Sequence, residues 1–291
     1  MIGVFDSGHG GLTVLNALVG AFPKCGFIYL GDHANAPYGD RSPEDIYELT
    51  RSGVEKLFDL GCALVIIACN TAAATSLRRL QQTWLAEHFP DRRVLGVFVP
   101  VVEEITEQSW KGNIGAQVIA KPRSVGVFAT PRTVESGSFV QEISRLSSEI
   151  AVYQQSCPHL VPLIEQGASE NVLGKFISEY VSSLMEKVGK KGLDVVVLGC
   201  THYPLIQNLF ERALPEGVSI LSQPSISATS LALYLERHPE FADSRGQETI
   251  IYSTGNAQAA SRSASMFLGR EIQFSTLETT RLGCGEAIRR L

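Results

Sequence analysis

Short, unbroken apolar runs recur along the chain. They lie at 2–5 (IGVF), 27–30 (FIYL), 63–68 (ALVIIA), 94–99 (VLGVFV), 125–129 (VGVFA), 150–154 (IAVYQ), 194–199 (DVVVLG), 218–221 (VSIL) and 249–253 (TIIYS). Runs this short, rich in Val and Ile and without polar alternation, read as strands buried on both faces. Helically spaced stretches lie among them, at 12–18, 42–61 and 174–188. The second of these opens with Ser42 and Pro43, an N-cap and a first-turn proline, and closes at Gly61. Strands alternating with helices predict an α/β protein with mainly parallel sheets. Residues 2–13 and 125–139 share a strand–loop–helix pattern, and each is followed by a strand that ends in a cysteine, at Cys69 and Cys200. The repeat predicts two similar α/β domains related by a pseudo-two-fold. Residues 1–99 plus 208–291 form the expected first domain and residues 100–207 the second.

Ligands of open α/β sheets bind beyond the carboxyl ends of the strands. The unusual polar clusters all fall there: Asp6-Ser7-Gly8-His9-Gly10-Gly11, then 31–42 (GDHANAPYGDRS), then Cys69-Asn70-Thr71, then Cys200-Thr201-His202. If the two halves face each other, both thiols reach one cleft from opposite sides. A two-base proton transfer at a single carbon needs that geometry. A cysteine at a strand end is in general a small buried hydrophobe, and the matching second junction is what lifts Cys69 and Cys200 above that reading.

Charge and composition narrow the function. The 291 residues carry a formal net charge of −5, which leaves no basic footprint for nucleic acid. No apolar run approaches a membrane span, and the N-terminus has no signal-peptide pattern, so a cytoplasmic protein is expected. Cys25, Cys62, Cys69, Cys157, Cys200 and Cys284 are scattered without a disulfide framework or CxxC pair. Cys25, Cys62, Cys157 and Cys284 are expected to pack. Gly8, Gly10 and Gly11 do not make a phosphate-binding GxGxxG or Walker loop. His9, His33, His88, His159 and His238 show no metal-ligand spacing, so no metal is expected.

The blocks GVFDSGHGGLTVL, YLGDHANAPYGDRS, ACNTAAA, GVFATPRTV, CPHLVPLIEQG and LGCTHYPLI, in this order, resemble the glutamate racemases of the cofactor-independent aspartate/glutamate racemase superfamily. The resemblance implies two α/β domains with the active site in the cleft between them, no cofactor, a homodimer, and D-glutamate made for peptidoglycan. It implies that Cys69 and Cys200 are the acid/base thiols, assisted by Asp6 and His202, with Glu165 behind His202. Ser7, Tyr38, Gly39, Asn70, Thr71 and Thr201 would hold the amino acid. A helix N-terminus after each cysteine is expected to lower its pKa, and no lysine stands in these motifs to hold pyridoxal phosphate.

The chain departs from the family pattern at His9, where a small apolar residue is usual, at His33 and Asn35, at Ala73 in place of serine, and in 221–229, which lacks an acidic residue. The start at the first strand, without the extension of members activated by a cell-wall precursor, leads us to expect no dependence on that activator. Racemases of aspartate, of several amino acids or of hydantoins are the alternative enzymes. A non-catalytic binding protein is the alternative class, and it gives no reason for both thiols.

Overall fold

A computed structural model describes residues 1–107, 124–242 and 248–277. Its strands are β1 (Ile2–Asp6), β2 (Phe27–Gly31), β3 (Leu64–Ile67), β4 (Arg93–Gly96), β5 (Ser124–Ala129), β6 (Ala151–Ser156), β7 (Val195–Gly199), β8 (Ser219–Leu221), β9 (Thr249–Ser253) and β10 (Ser275–Thr276). All pair in parallel, in two sheets of order β10-β9-β2-β1-β3-β4 and β6-β5-β7-β8. The second sheet repeats the order β2-β1-β3-β4 of the first, so the faint sequence repeat is a repeat of topology. The α/β architecture with two parallel sheets is as expected. Every residue of β1, β2, β3 and β5 is buried, which accounts for their unbroken apolar runs.

The helices also follow the local chemistry. Helix Pro43–Asp59 starts where the Ser42 side chain accepts from the Asp45 N–H at 3.1 Å. It is followed by Gly61 at φ +87°, a conformation that favours glycine. Helix Glu170–Val188 begins four residues before the expected stretch, with Ser169 at its N-cap.

Two expectations need correction. The run 94–99 is not one strand: β4 ends at Gly96 and Phe98 opens helix Phe98–Thr106. An apolar run carries no mark where a buried strand becomes a buried helix turn. The expected division after residue 207 also fails at β8, which pairs with β7 through Val197↔Leu221 in the second sheet. A strand after one short crossover helix joins its neighbour's edge. The return to the first half comes with helix Gln223–Arg237, which packs on helix Leu12–Ala21, and continues with β9 and β10.

One core cluster spans the halves, from Phe5 and Ile67 through Phe98 and Phe139 to Val125 and Val127. The Phe98 and Phe139 rings meet edge-on at 4.9 Å. This shared core joins the two halves.

Candidate functional site

The site is built from the residues that leave β1, β3, β5 and β7. Asp6 is the last residue of β1 and is buried. Its carboxylate accepts from the N–H of Gly11 at 3.1 Å and of Gly8 at 3.4 Å. Burial pushes its pKa up to about 6, against the opposing charge of His202. Ser7, next in the chain, donates its hydroxyl to Cys69 Sγ at 3.3 Å. Cys69 is the N-cap of helix Asn70–Gln82, and its sulfur also accepts from the Ala72 N–H at 3.4 Å.

The helix start does not lower this thiol as the sequence led us to expect. Burial and the Asp6 carboxylate push Cys69 up to about 12, and the hydrogen bonds from Ser7 and Ala72 recover only part of the shift. Desolvation of a fully buried thiolate outweighs one helix turn's worth of dipole.

Cys200 follows β7 but does not cap an α-helix. The turn after it is the 3-10 helix Tyr203–Ile206, with Pro204 in its first turn. Cys200 lies beside an imidazole instead: His202 Nδ1 is 3.8 Å from its Sγ, and His202 Nε2 is 2.9 Å from Glu165 Oε1. Burial opposes a charge on His202, but Cys200 and Glu165 together raise it to about 10. Glu165 ends helix Leu160–Glu165; burial opposes its charge too, yet the His202 hydrogen bond and charge hold it below the usual carboxylate range. The charge of Cys200 raises Cys69, and that of His202 lowers Asp6. The two thiol sites therefore lie within electrostatic reach of each other.

Direct contacts stitch the halves around the thiols. Thr13 Oγ1 donates to the Thr201 carbonyl at 2.9 Å. A Cβ built on Gly10 would collide with the His202 ring and come within 2.7 Å of Thr201 Oγ1, so the first loop must be bare backbone there. Thr71 Oγ1 lies 3.0 Å from Thr130 Oγ1 and 3.3 Å from Thr133 Oγ1 of the second half.

The other sequence-predicted residues divide. Asn70 is beside Cys69, but its amide makes a reciprocal pair with Gln223 at 2.6 and 2.8 Å. Tyr38 is buried, and its hydroxyl donates to Asp32 at 2.6 Å. Gly39 faces Thr130, 4.0 Å from the position of a Cβ. Asp32, Gln223, Thr130 and Thr133 were not singled out in the sequence. Asp32 also accepts from Thr254 at 2.6 Å and from Asn35 at 3.1 Å, which fixes the loop carrying Tyr38. Gln223 lies in the 221–229 stretch already noted as departing from the family, and both threonines lie in the quoted GVFATPRTV block.

Cys157 packs as expected: it is buried, and burial drives its pKa far up. Cys62 is buried as well, Cys25 is half-buried, and Cys284 lies outside the described residues. Metal-ligand spacing was absent from the sequence, yet the fold gathers His9, Glu165 and His202, with one ligand atom from each inside a 4.8 Å group. No helix among the described residues is long and apolar enough to cross a membrane.

A family model described as Asp/Glu/Hydantoin racemase matches residues 13–233. A glutamate racemase of Roseobacter denitrificans is 45% identical over 281 residues, covering 94% of this chain and 98% of that relative. Among solved structures, a glutamate racemase isoform of Bacillus anthracis superposes with TM-score 0.78 at 28% identity, over 96% of this chain and 97% of that one. A glutamate racemase of Francisella tularensis in complex with D-glutamate also reaches TM-score 0.78 at 28% identity, over 94% and 95% of the two chains. The family model takes in strands of both sheets and both cysteine junctions, and the chain belongs to the Asp/Glu/Hydantoin racemase family.

Proposed function

We propose that this protein interconverts L- and D-glutamate by two-base proton transfer between Cys69 and Cys200, without a cofactor. The observation that carries the reading is the pair of thiols at equivalent strand ends of two topologically matched sheets, each with its own ionisable partner. Glutamate as substrate is supported by the relatives, including the Francisella tularensis structure with D-glutamate.

The two thiols stand beside ionisable partners of opposite charge. Cys69, raised to about 12, is a thiol at neutral pH. His202, raised to about 10, is an imidazolium whose Nδ1 lies 3.8 Å from Cys200 Sγ. One thiolate takes the Cα proton, and the electron pair of the broken C–H bond stays on carbon. The opposite thiol then protonates the other face, which inverts the centre and leaves the thiols with exchanged states. Asp6 and His202 return protons between the thiols and solvent. The first-turn N–H groups of Asn70 and Thr71 have no intrahelical acceptor, so they suit the substrate carboxylate, along with the hydroxyls of Ser7 and Thr201. Tyr38 and Gly39 shape the wall through Asp32 and Thr130.

We further place the protein in the cytoplasm as a homodimer, supplying D-glutamate for peptidoglycan. Its first domain would comprise the first sheet with helix Gln223–Arg237, and its second would comprise residues 124–221. The test is racemization by the purified protein with L-glutamate, D-glutamate, both aspartates and a hydantoin, with nothing else added. Glutamate should turn over fastest in both directions. Turnover of aspartate or a hydantoin alone would overturn the substrate, and dependence on pyridoxal phosphate would overturn the mechanism.

A further inference from the structure

His9 is buried beside His202, with ring centroids 5.8 Å apart, and has no part in the proposed proton transfer. Neither of its ring nitrogens has a hydrogen-bond partner, although buried polar groups are in general satisfied. The ring is held by its neighbours: Phe267 meets it edge-on at 5.0 Å and His33 stacks at 5.7 Å. So held, it lies with Nε2 3.6 Å from Glu165 Oε1, the oxygen that sits 2.9 Å from His202 Nε2. Phe267 also packs on His202 at 5.0 Å. One phenyl ring thus orients both imidazoles toward one carboxylate.

We propose that His9, Glu165 and His202 form a binding site for a divalent transition metal, zinc foremost, and that its occupation shuts the enzyme down. Two imidazoles and one carboxylate are a donor set for zinc, cobalt or nickel and a poor one for magnesium or calcium. The ligand atoms lie within 4.8 Å of one another, and a tetrahedral zinc site spaces its nitrogen and oxygen ligands about 3.3 Å apart, so small side-chain movements close the set. His202 Nδ1, 3.8 Å from Cys200 Sγ, has the outer partner that orients a metal-bound imidazole. Glu165, whose side chain is 41% exposed, gives the ion a way in from solvent. The three ligands come from the β1 loop, the end of helix Leu160–Glu165 and the turn after β7, which is why no spacing in the sequence displays them.

Coordination would replace the proton on His202 Nε2, which is released to solvent, and so remove both the imidazolium charge and the Glu165 hydrogen bond that brace the ring beside Cys200. The metal site itself is independent of the proposed reaction, whereas inhibition rests on it. The experiment therefore reads both. The purified protein is titrated with Zn²⁺ by calorimetry and with Co²⁺ by absorption, and racemization is followed in parallel. One ion per chain is expected, with cobalt bands of a nitrogen/oxygen site and no thiolate-to-cobalt charge transfer. His9→Gln, close in size to the native residue, should weaken binding on the order of 100-fold, keep its metal-free turnover, and resist a zinc concentration that silences the native enzyme. A chelator should restore the native rate. No binding, unchanged affinity in a folded His9→Gln, or a thiolate charge-transfer band in the native protein overturns the site. The last of these needs no variant, so it decides even if His9→Gln does not fold. Binding as expected without loss of turnover overturns the inhibition, and a metal-free protein with no turnover counts against the proposed function while leaving the metal site to calorimetry.

Discussion

The Cys69 and Cys200 junctions occupy equivalent places in the two sheets but are finished with different chemistry. Cys69 caps a 13-residue α-helix, takes hydrogen bonds from Ser7 and Ala72, and sits near a buried carboxylate. Cys200 leads into a four-residue 3-10 turn and sits beside an imidazole that Glu165 braces. A negative neighbour keeps a thiol protonated, and a positive one stabilises a thiolate. Matched topology places the two sulfurs, and their ionisable neighbours differ in charge.

Removing either sulfur is the harshest way to break the comparison. Cys69→Ala and Cys200→Ala should each lower the racemization rate in both directions by about 10²–10⁴, with circular dichroism unchanged. Near-native turnover in one variant would remove that thiol from the mechanism.

Gly10 tests whether the Cys200 side depends on contact with the first half. A methyl group at Gly10 would collide with the His202 ring, whereas one at Gly8 meets nothing within 4 Å. Displacing the ring by about 1 Å is expected to cost on the order of 100-fold in rate. Gly10→Ala should therefore be slow and Gly8→Ala close to native in a steady-state assay. Equal rates for the pair would mean that the position of His202 is not critical.

On the Cys69 side, the Asn70–Gln223 amide pair ties the helix that Cys69 caps to helix Gln223–Arg237. Gln223→Ala leaves a buried amide unpaired, at a cost of about 1–3 kcal/mol in urea unfolding. A loss well below that range would mean that the pair is replaced without penalty.

The Cys200 side also predicts a pH dependence. The folded pKa of His202 is raised from 6.5 to about 10. The stability it contributes is thus complete below about pH 6.5 and is lost as pH rises through about 10. The thermal midpoint of the native protein minus that of His202→Asn should be largest at the acid end of this window and shrink toward its alkaline end. A difference that grows with pH would mean that His202 is not held as a cation.

Much of the fold was legible because strands buried on both faces leave continuous apolar runs, and the matched runs before Cys69 and Cys200 exposed the repeat. The 94–99 run misled because burial continues across the change from strand to helix: Val94 in β4, Val97 at the junction and Phe98 in the helix are all buried. β10 left no signal: its two residues, Ser275 and Thr276, are exposed. At the site, residues next in sequence to the cysteines were legible, while pairings across the fold were not. Nothing local marks Thr71 as the partner of Thr130, or Asn70 as the partner of Gln223. The helix start after Cys69 was legible, but the burial that outweighs it comes from packing by the rest of the chain.

The central claim is that Cys69 and Cys200 serve opposite faces of one carbon. Its most direct test is racemization of L-glutamate in D₂O, sampled early. The new D-glutamate should carry deuterium at Cα, because the second thiol delivers a solvent-exchanged proton. The remaining L-glutamate should still carry protium, and the pattern should reverse when the reaction starts from D-glutamate. Protium retained in early product, or deuterium appearing equally in both enantiomers, would contradict a two-thiol site.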